Sequence, residues 1–160
     1  MNRMNMDKGA GLSLRPPANA AEWQTIHVLR RRALFNDATD TADAGSAYNA
    51  DHPDDRDADH RVLALFAEDQ LLGTLRVDLS HPAWAAFRLV AIDPNRRGRG
   101  FGGAMLEMAE AFVTSKGWRQ VRLHAKPAAI GFYERHGYRP VGWDEPPRDP
   151  NGVNMGKPLC

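Results

Sequence analysis

Three arginines and four glycines stand together in Arg96-Arg97-Gly98-Arg99-Gly100-Phe101-Gly102-Gly103. Glycine lets a backbone turn sharply and lie close against a ligand, because no Cβ stands in the way. The apolar run Leu89-Val90-Ala91-Ile92 precedes this stretch as a strand, and Asp93-Pro94 stops it. Phe101, Ala104, Met105, Met108, Ala109, Phe112 and Val113 follow on one face of a helix. A strand, a glycine-rich turn and the unpaired N–H groups of a helix N-terminus make a socket for phosphate or pyrophosphate, and the arginines add positive charge around it.

Gly98-x-Gly100-x-x-Gly103 also fits the dinucleotide-binding fingerprint. That fingerprint belongs in the first strand–helix unit, with an acidic residue at the end of the next strand for the ribose. Here the next strand, Gln120 to Ala125, is followed by Lys126, and too little chain remains for a doubly wound sheet. The dinucleotide reading fails on context.

The same letters read Arg97-x-x-Gly100-x-Gly102, and this segment resembles the acyl-coenzyme A loop of the GNAT superfamily of N-acetyltransferases. Ala129-Ile130-Gly131-Phe132-Tyr133-Glu134-Arg135-His136-Gly137-Tyr138 is similar to that family's second coenzyme A segment. Two such motifs in order, with a helix and a strand between them, are far more specific than either alone. The resemblance implies an α/β fold: a mixed, mostly antiparallel central sheet of six to seven strands with helices on both faces. It implies acetyl-coenzyme A as cosubstrate, with the pyrophosphate at Arg97, Gly98, Arg99, Gly100, Phe101, Gly102 and Gly103. The pantetheine arm would run along the main chain of Leu89, Val90, Ala91 and Ile92, with Lys126, Ala129 and Phe132 also at the cofactor. Tyr133 resembles the family's general acid, and His124 is the candidate base. The chain departs from the family in two places. Many members carry a glutamate near Phe87 or Arg88, where this chain has none, and Lys126 replaces an asparagine or glutamine.

The implied reaction is acetyl transfer to a primary amine, of a small molecule or a peptide, by direct attack in a ternary complex. Two rivals predict different behaviour. A non-catalytic acyl-coenzyme A sensor would bind without turnover. A nucleic-acid module using Arg96 to Arg99 would bind RNA with steep salt dependence, but a net charge of +1 and the absence of interleaved aromatics argue against it.

The elements that must position these residues follow from the pattern. A chain of 160 residues, 42% hydrophobic and 26% charged, reads as one domain over 12–160, after an N-terminus expected to be disordered through residue 11. No apolar run is long enough to span a membrane, and the single cysteine, Cys160, forms no internal disulfide, so a cytoplasmic monomer or homodimer is expected. Leu12 to Arg15 alternates as a first strand, and Asn19 caps a helix to about Phe35, with Glu22 completing a capping box. Arg30, Arg31 and Arg32 on that helix read as solvated. The aspartate-rich stretch 36–60 reads as a connector or an acceptor-side wall. Asp55-x-Asp57-x-Asp59 starts like a calcium loop, but His60 and Phe66 stand where glycine and glutamate are needed, so no metal is expected. Strands are expected at Val62 to Ala67, Leu72 to Leu79, Trp84 to Ile92, Trp118 to Ala125, Tyr138 to Trp143 and Val153 to Met155, with a helix from about Ala128 to His136.

Overall fold

A computed structural model describes residues 11–35 and 48–160. The expectation of disorder before Gly11, and the first part of the aspartate-rich stretch, lie outside the described residues. Strands β1 (Leu12–Arg15), β2 (His60–Ala67), β3 (Gln70–Asp78), β4 (Ala85–Ile92), β5 (Gln120–Ala125), β6 (Arg139–Pro140) and β7 (Val153–Pro158) form one sheet in the order β1-β2-β3-β4-β5-β7-β6. Every pairing is antiparallel except that of β4 with β5. Helix α1 (Ala20–Leu34) lies between β1 and β2, α2 (Phe101–Ser115) between β4 and β5, and α3 (Ile130–Arg135) between β5 and β6.

The side-chain period of two sorts β2 onto two cores. Leu63 and Leu65 join Met105, Leu106, Phe112 and Val113 of α2 in the larger cluster, while Val62, Ala64 and Phe66 pack on Ile26 of α1. Helices therefore cover both faces, as the resemblance implied. Each buried Leu or Phe removed from water contributes about 1.5–3 kcal/mol.

The start of α1 follows the expected cap with one change. Asn19 accepts the Glu22 N–H (2.9 Å), but the Glu22 carboxylate takes the N–H of Ala18 (2.7 Å) and a bidentate pair from Arg15 (2.8 and 2.9 Å). Arg30 corrects the solvated reading, being fully buried. Its guanidinium donates to Asp55 (2.8 Å) and to the Tyr48 hydroxyl (2.7 Å), so an aspartate of the connector supplies the counter-charge that makes burial tolerable. The expected strand Tyr138 to Trp143 shrinks to two residues, because Pro140 has no N–H for the ladder. The expected helix at 128–136 is a 3-10 turn, Pro127–Ala129, leading into α3.

Candidate active site

The turn between β4 and α2 is a row of unused donors. From Arg97 to Gly103 no backbone N–H donates to another described residue; the first bond of α2 runs from the Ala104 N–H to the Gly100 carbonyl (3.1 Å). Gly98 and Gly100 hold left-handed backbone, φ +80 and +85, with open space where a Cβ would stand, so conformation alone selects glycine there. Packing selects it at the next two. A Cβ on Gly102 would meet the Phe132 ring at 3.0 Å, and one on Gly103 would meet His136 Cε1 at 2.6 Å. Phe101, partly buried, packs on the larger core and anchors the helix behind the turn. Arg97 and Arg99 are exposed, and no described acidic side chain pairs with them or with Arg96.

Upstream of the turn the sheet opens. β4 pairs with β5 only at Ala85, Ala86 and Phe87, opposite Val121, Arg122 and Leu123. From Arg88 to Ile92 that edge of β4 has no strand partner among the described residues. On its other edge β4 carries a bulge. Arg76 stands opposite Arg88 and Thr74 opposite Ala91, so Leu89 and Val90 share Leu75, and Leu89 takes φ +50. Val90 and Ile92 are partly buried on the core and Ala91 is buried, which leaves the main chain of this segment as its polar surface.

α3 closes the gap from one face. Ala129 and Phe132 pack against the larger core, and Phe132 meets Tyr133 edge-on (5.2 Å between centroids). Tyr133 is 6% exposed, and its hydroxyl has no hydrogen-bond partner among the described residues. Burial raises its phenol well above the ordinary value, so the group keeps its proton. The neighbouring Tyr138 differs: its hydroxyl donates to Glu110 (2.7 Å), which also accepts from Lys157 (2.9 Å).

His124 lies on the opposite face, because β5 alternates and its neighbours Leu123 and Ala125 share the core of Tyr133. Its ring stacks on Trp143 (4.5 Å, 15°). Nδ1 faces Asn154 Oδ1 (2.6 Å) and Nε2 faces Glu145 Oε1 (3.0 Å). Glu145 also takes both arms of Arg88 (2.8 and 3.0 Å); Arg88 in turn reaches Asp78 (3.2 Å), which Arg76 holds at 2.6 and 2.9 Å. The Arg88 guanidinium, with help from His124 and against partial burial, holds the Glu145 carboxyl at about 2. Lys126, expected at the cofactor, sends its ammonium toward the Leu34 carbonyl (3.4 Å) at the C-terminus of α1, where a cation is favoured.

A family model, the acetyltransferase (GNAT) domain, matches residues 58–140, just over half of the chain. The chain belongs to the GNAT acetyltransferase family. Among solved structures, one from Lactobacillus plantarum assigned as an N-acetyltransferase aligns at TM-score 0.73 with 24% identity, covering 94% of this chain and 99% of that one. A PaiA N-acetyltransferase from Thermoplasma acidophilum in complex with coenzyme A aligns at 0.71 with 16% identity over 92% and 99%. An aminoglycoside 6'-N-acetyltransferase complexed with coenzyme A aligns at 0.70 with 17% identity over 93% and 97%. No curated protein matches. The seven-stranded sheet is thus the GNAT fold, and among the described residues no group of side chains could hold a metal ion.

In this GNAT chain a carboxylate reaches the end of β4 from a distant part of the sequence. Glu145 is 57 positions from Arg88, yet it occupies the Arg88 end of the gap. Sequence reasoning missed Glu145, Trp143 and the Asn154 contact. The available signal was Arg88 itself, a charged residue on a central strand that needs an acidic partner.

Proposed function

We propose that the protein transfers an acetyl group from acetyl-coenzyme A to a primary amine, with Tyr133 as proton donor to the leaving sulfur and His124 as base. The observation that carries this reading is the run of unpartnered N–H groups from Arg97 to Gly103, set beside the strand gap at Leu89 to Ile92. The residues fit the cosubstrate. The turn offers backbone donors, a helix N-terminus and three guanidinium groups without an acidic partner among the described residues to a pyrophosphate. The edge of β4 offers peptide groups to an extended amide-bearing arm. Acetyl-coenzyme A supplies an acyl group activated as a thioester.

The chain's own residues divide the proton work across the sheet. Tyr133 meets the gap from the α3 face and His124 stands on the other, so the sulfur and the amine's first proton have separate partners. A phenol raised by burial is a hydrogen-bond donor first; thiolate is a weaker base than phenolate, so Tyr133 hands its proton to the sulfur only as another proton reaches its own oxygen. The aminoglycoside enzyme among the structural relatives acts on an amine, which makes cationic amines the first acceptors to try. The test measures coenzyme A release over a panel of aminoglycosides, polyamines and peptide N-termini, beside calorimetry of acetyl-coenzyme A binding. Turnover on a member of the panel is expected. Tight binding with no release on any amine would favour a sensor, and no binding would overturn the reading.

A further inference from the structure

We propose that Asn154 and Glu145 together control the lone pair of His124: Asn154 fixes the hydrogen on Nδ1, and Glu145 holds the Nε2 proton until the acceptor's ammonium replaces it. The proposal rests on the reading of His124 as the base. Its geometry is independent of that reading. Asn154 Nδ2 donates to the Glu145 carbonyl (2.8 Å), so the amide is oriented and its Oδ1 must be the atom facing His124 Nδ1 (2.6 Å). Nδ1 is therefore a donor. Nε2 faces a carboxylate at 3.0 Å, so it too carries a hydrogen in this arrangement, and the ring is an imidazolium paired with Glu145. A histidine so satisfied on both nitrogens has no lone pair to use, and one partner must leave before it acts as a base.

Glu145 is the partner placed to leave. Its side chain is 46% exposed, against 12% for His124. Asn154, on β7, pairs with His124 across the ladder and cannot move without the strand. The other charges near the ring are already engaged. Arg88 of β4 is tied to Glu145 and Asp78, and Arg122 of β5 to the Gly142 carbonyl (2.6 Å) and Gln120 (2.9 Å). Lys126 is turned to α1. Among the described residues Glu145 is the only carboxylate on the ring.

The protons then balance. An ammonium that pairs with Glu145 takes the place of the imidazolium, and Nε2 gives its proton to solvent. Nε2 next accepts one proton from the ammonium. The freed amine forms the N–C bond as the C–S bond breaks, and its second proton reaches the sulfur by way of Tyr133. Amide, thiol and one proton, held on His124, result.

Imidazole 15N NMR on the whole protein with acetyl-coenzyme A bound tests this without a known acceptor. Neutral His124 is expected as a single Nδ1–H tautomer in the parent and as a mixture in Asn154→Ala. Asn154→Asp, which retains an acceptor, should restore the single tautomer and raise the pH at which the ring loses its proton. Glu145→Gln should lower that pH, and methylammonium should lower it in the parent but not in Glu145→Gln. On an amine found by the screen, Asn154→Ala should reduce kcat about 10- to 100-fold. A parent ring protonated on Nε2 when neutral, a tautomer indifferent to Asn154→Ala, or a titration indifferent to methylammonium would overturn the proposal. His124→Gln turning over at the parental rate would instead remove the base reading and leave the NMR result standing.

Discussion

The two faces of the β4–β5 gap are built on opposite plans. On the α2 side polar groups stand without partners among the described residues: seven consecutive backbone amides from Arg97 to Gly103, and the Tyr133 hydroxyl. On the α1 side partners are abundant, in a chain from Arg76 through Asp78, Arg88 and Glu145 to His124 and Asn154. The turn's amides lie on exposed or partly exposed residues and bond nothing else in the described chain, so the first face is open to an anion that binds whole. A saturated network has every polar group met at rest, so it can act only by exchanging one partner for another. The first arrangement suits a cosubstrate held in place, and the second a group that must change its proton.

Removing the Tyr133 hydroxyl tests the contrast most strongly. Tyr133→Phe keeps the ring and is expected to lower turnover by about 10²–10⁴-fold while calorimetry shows acetyl-coenzyme A affinity nearly unchanged. A Phe variant as fast as the parent would make the unpartnered hydroxyl a packing accident. Tyr138→Phe is the matched control. Its hydroxyl is bound to Glu110, so the loss should read as about 1.5–3 kcal/mol in denaturant unfolding, with turnover retained.

Gly100→Ala changes the amide row itself. The left-handed backbone at φ +85 would cost an alanine about 1–2 kcal/mol, and acetyl-coenzyme A affinity should fall about tenfold. Undiminished affinity in a folded variant would show that the turn does not need its shape. The smallest effect concerns pH. The Glu145 pKa is depressed, so its contribution to stability is present above the unfolded value of about 4.3 and is lost as pH falls toward about 2. With the carboxylate half exposed, screening limits this to no more than about 1 kcal/mol. Unfolding followed from pH 5 to 2 should flatten in Glu145→Gln, and equal slopes would remove the pairing from the stability of the fold.

What the sequence disclosed and what it withheld follow the same division. The Arg97–Gly103 turn, the Asn19 cap and the α2 face are local: strand, glycines and helix stand next to one another, so residue type and spacing are enough. The placing of Tyr133 on a short helix after β5 was legible because that segment is local too. The His124 surroundings were not, since Glu145 lies 21 positions away, Asn154 lies 30 away, and Arg88 meets Glu145 across 57. Arg30 was misread for the same reason, because helical periodicity cannot reveal that Asp55 arrives from another part of the chain to neutralise it. The bulge at Leu89, which aims the open edge of β4, left no mark in an ordinary apolar run.

The brevity of the β4–β5 seam divides the sheet where the sequence itself divides. β1 to β4 come from residues 12–92 and β5 to β7 from 120–158, so each wing is woven from one unbroken stretch of chain. Three residue pairs stitch the wings along the seam; farther out side chains span it, as in the Arg88–Glu145 pair and the reach of Lys126 to Leu34. A molecule lodged in that cleft would touch both halves, and its binding would add to the three ladder pairs and the shared core that already join them.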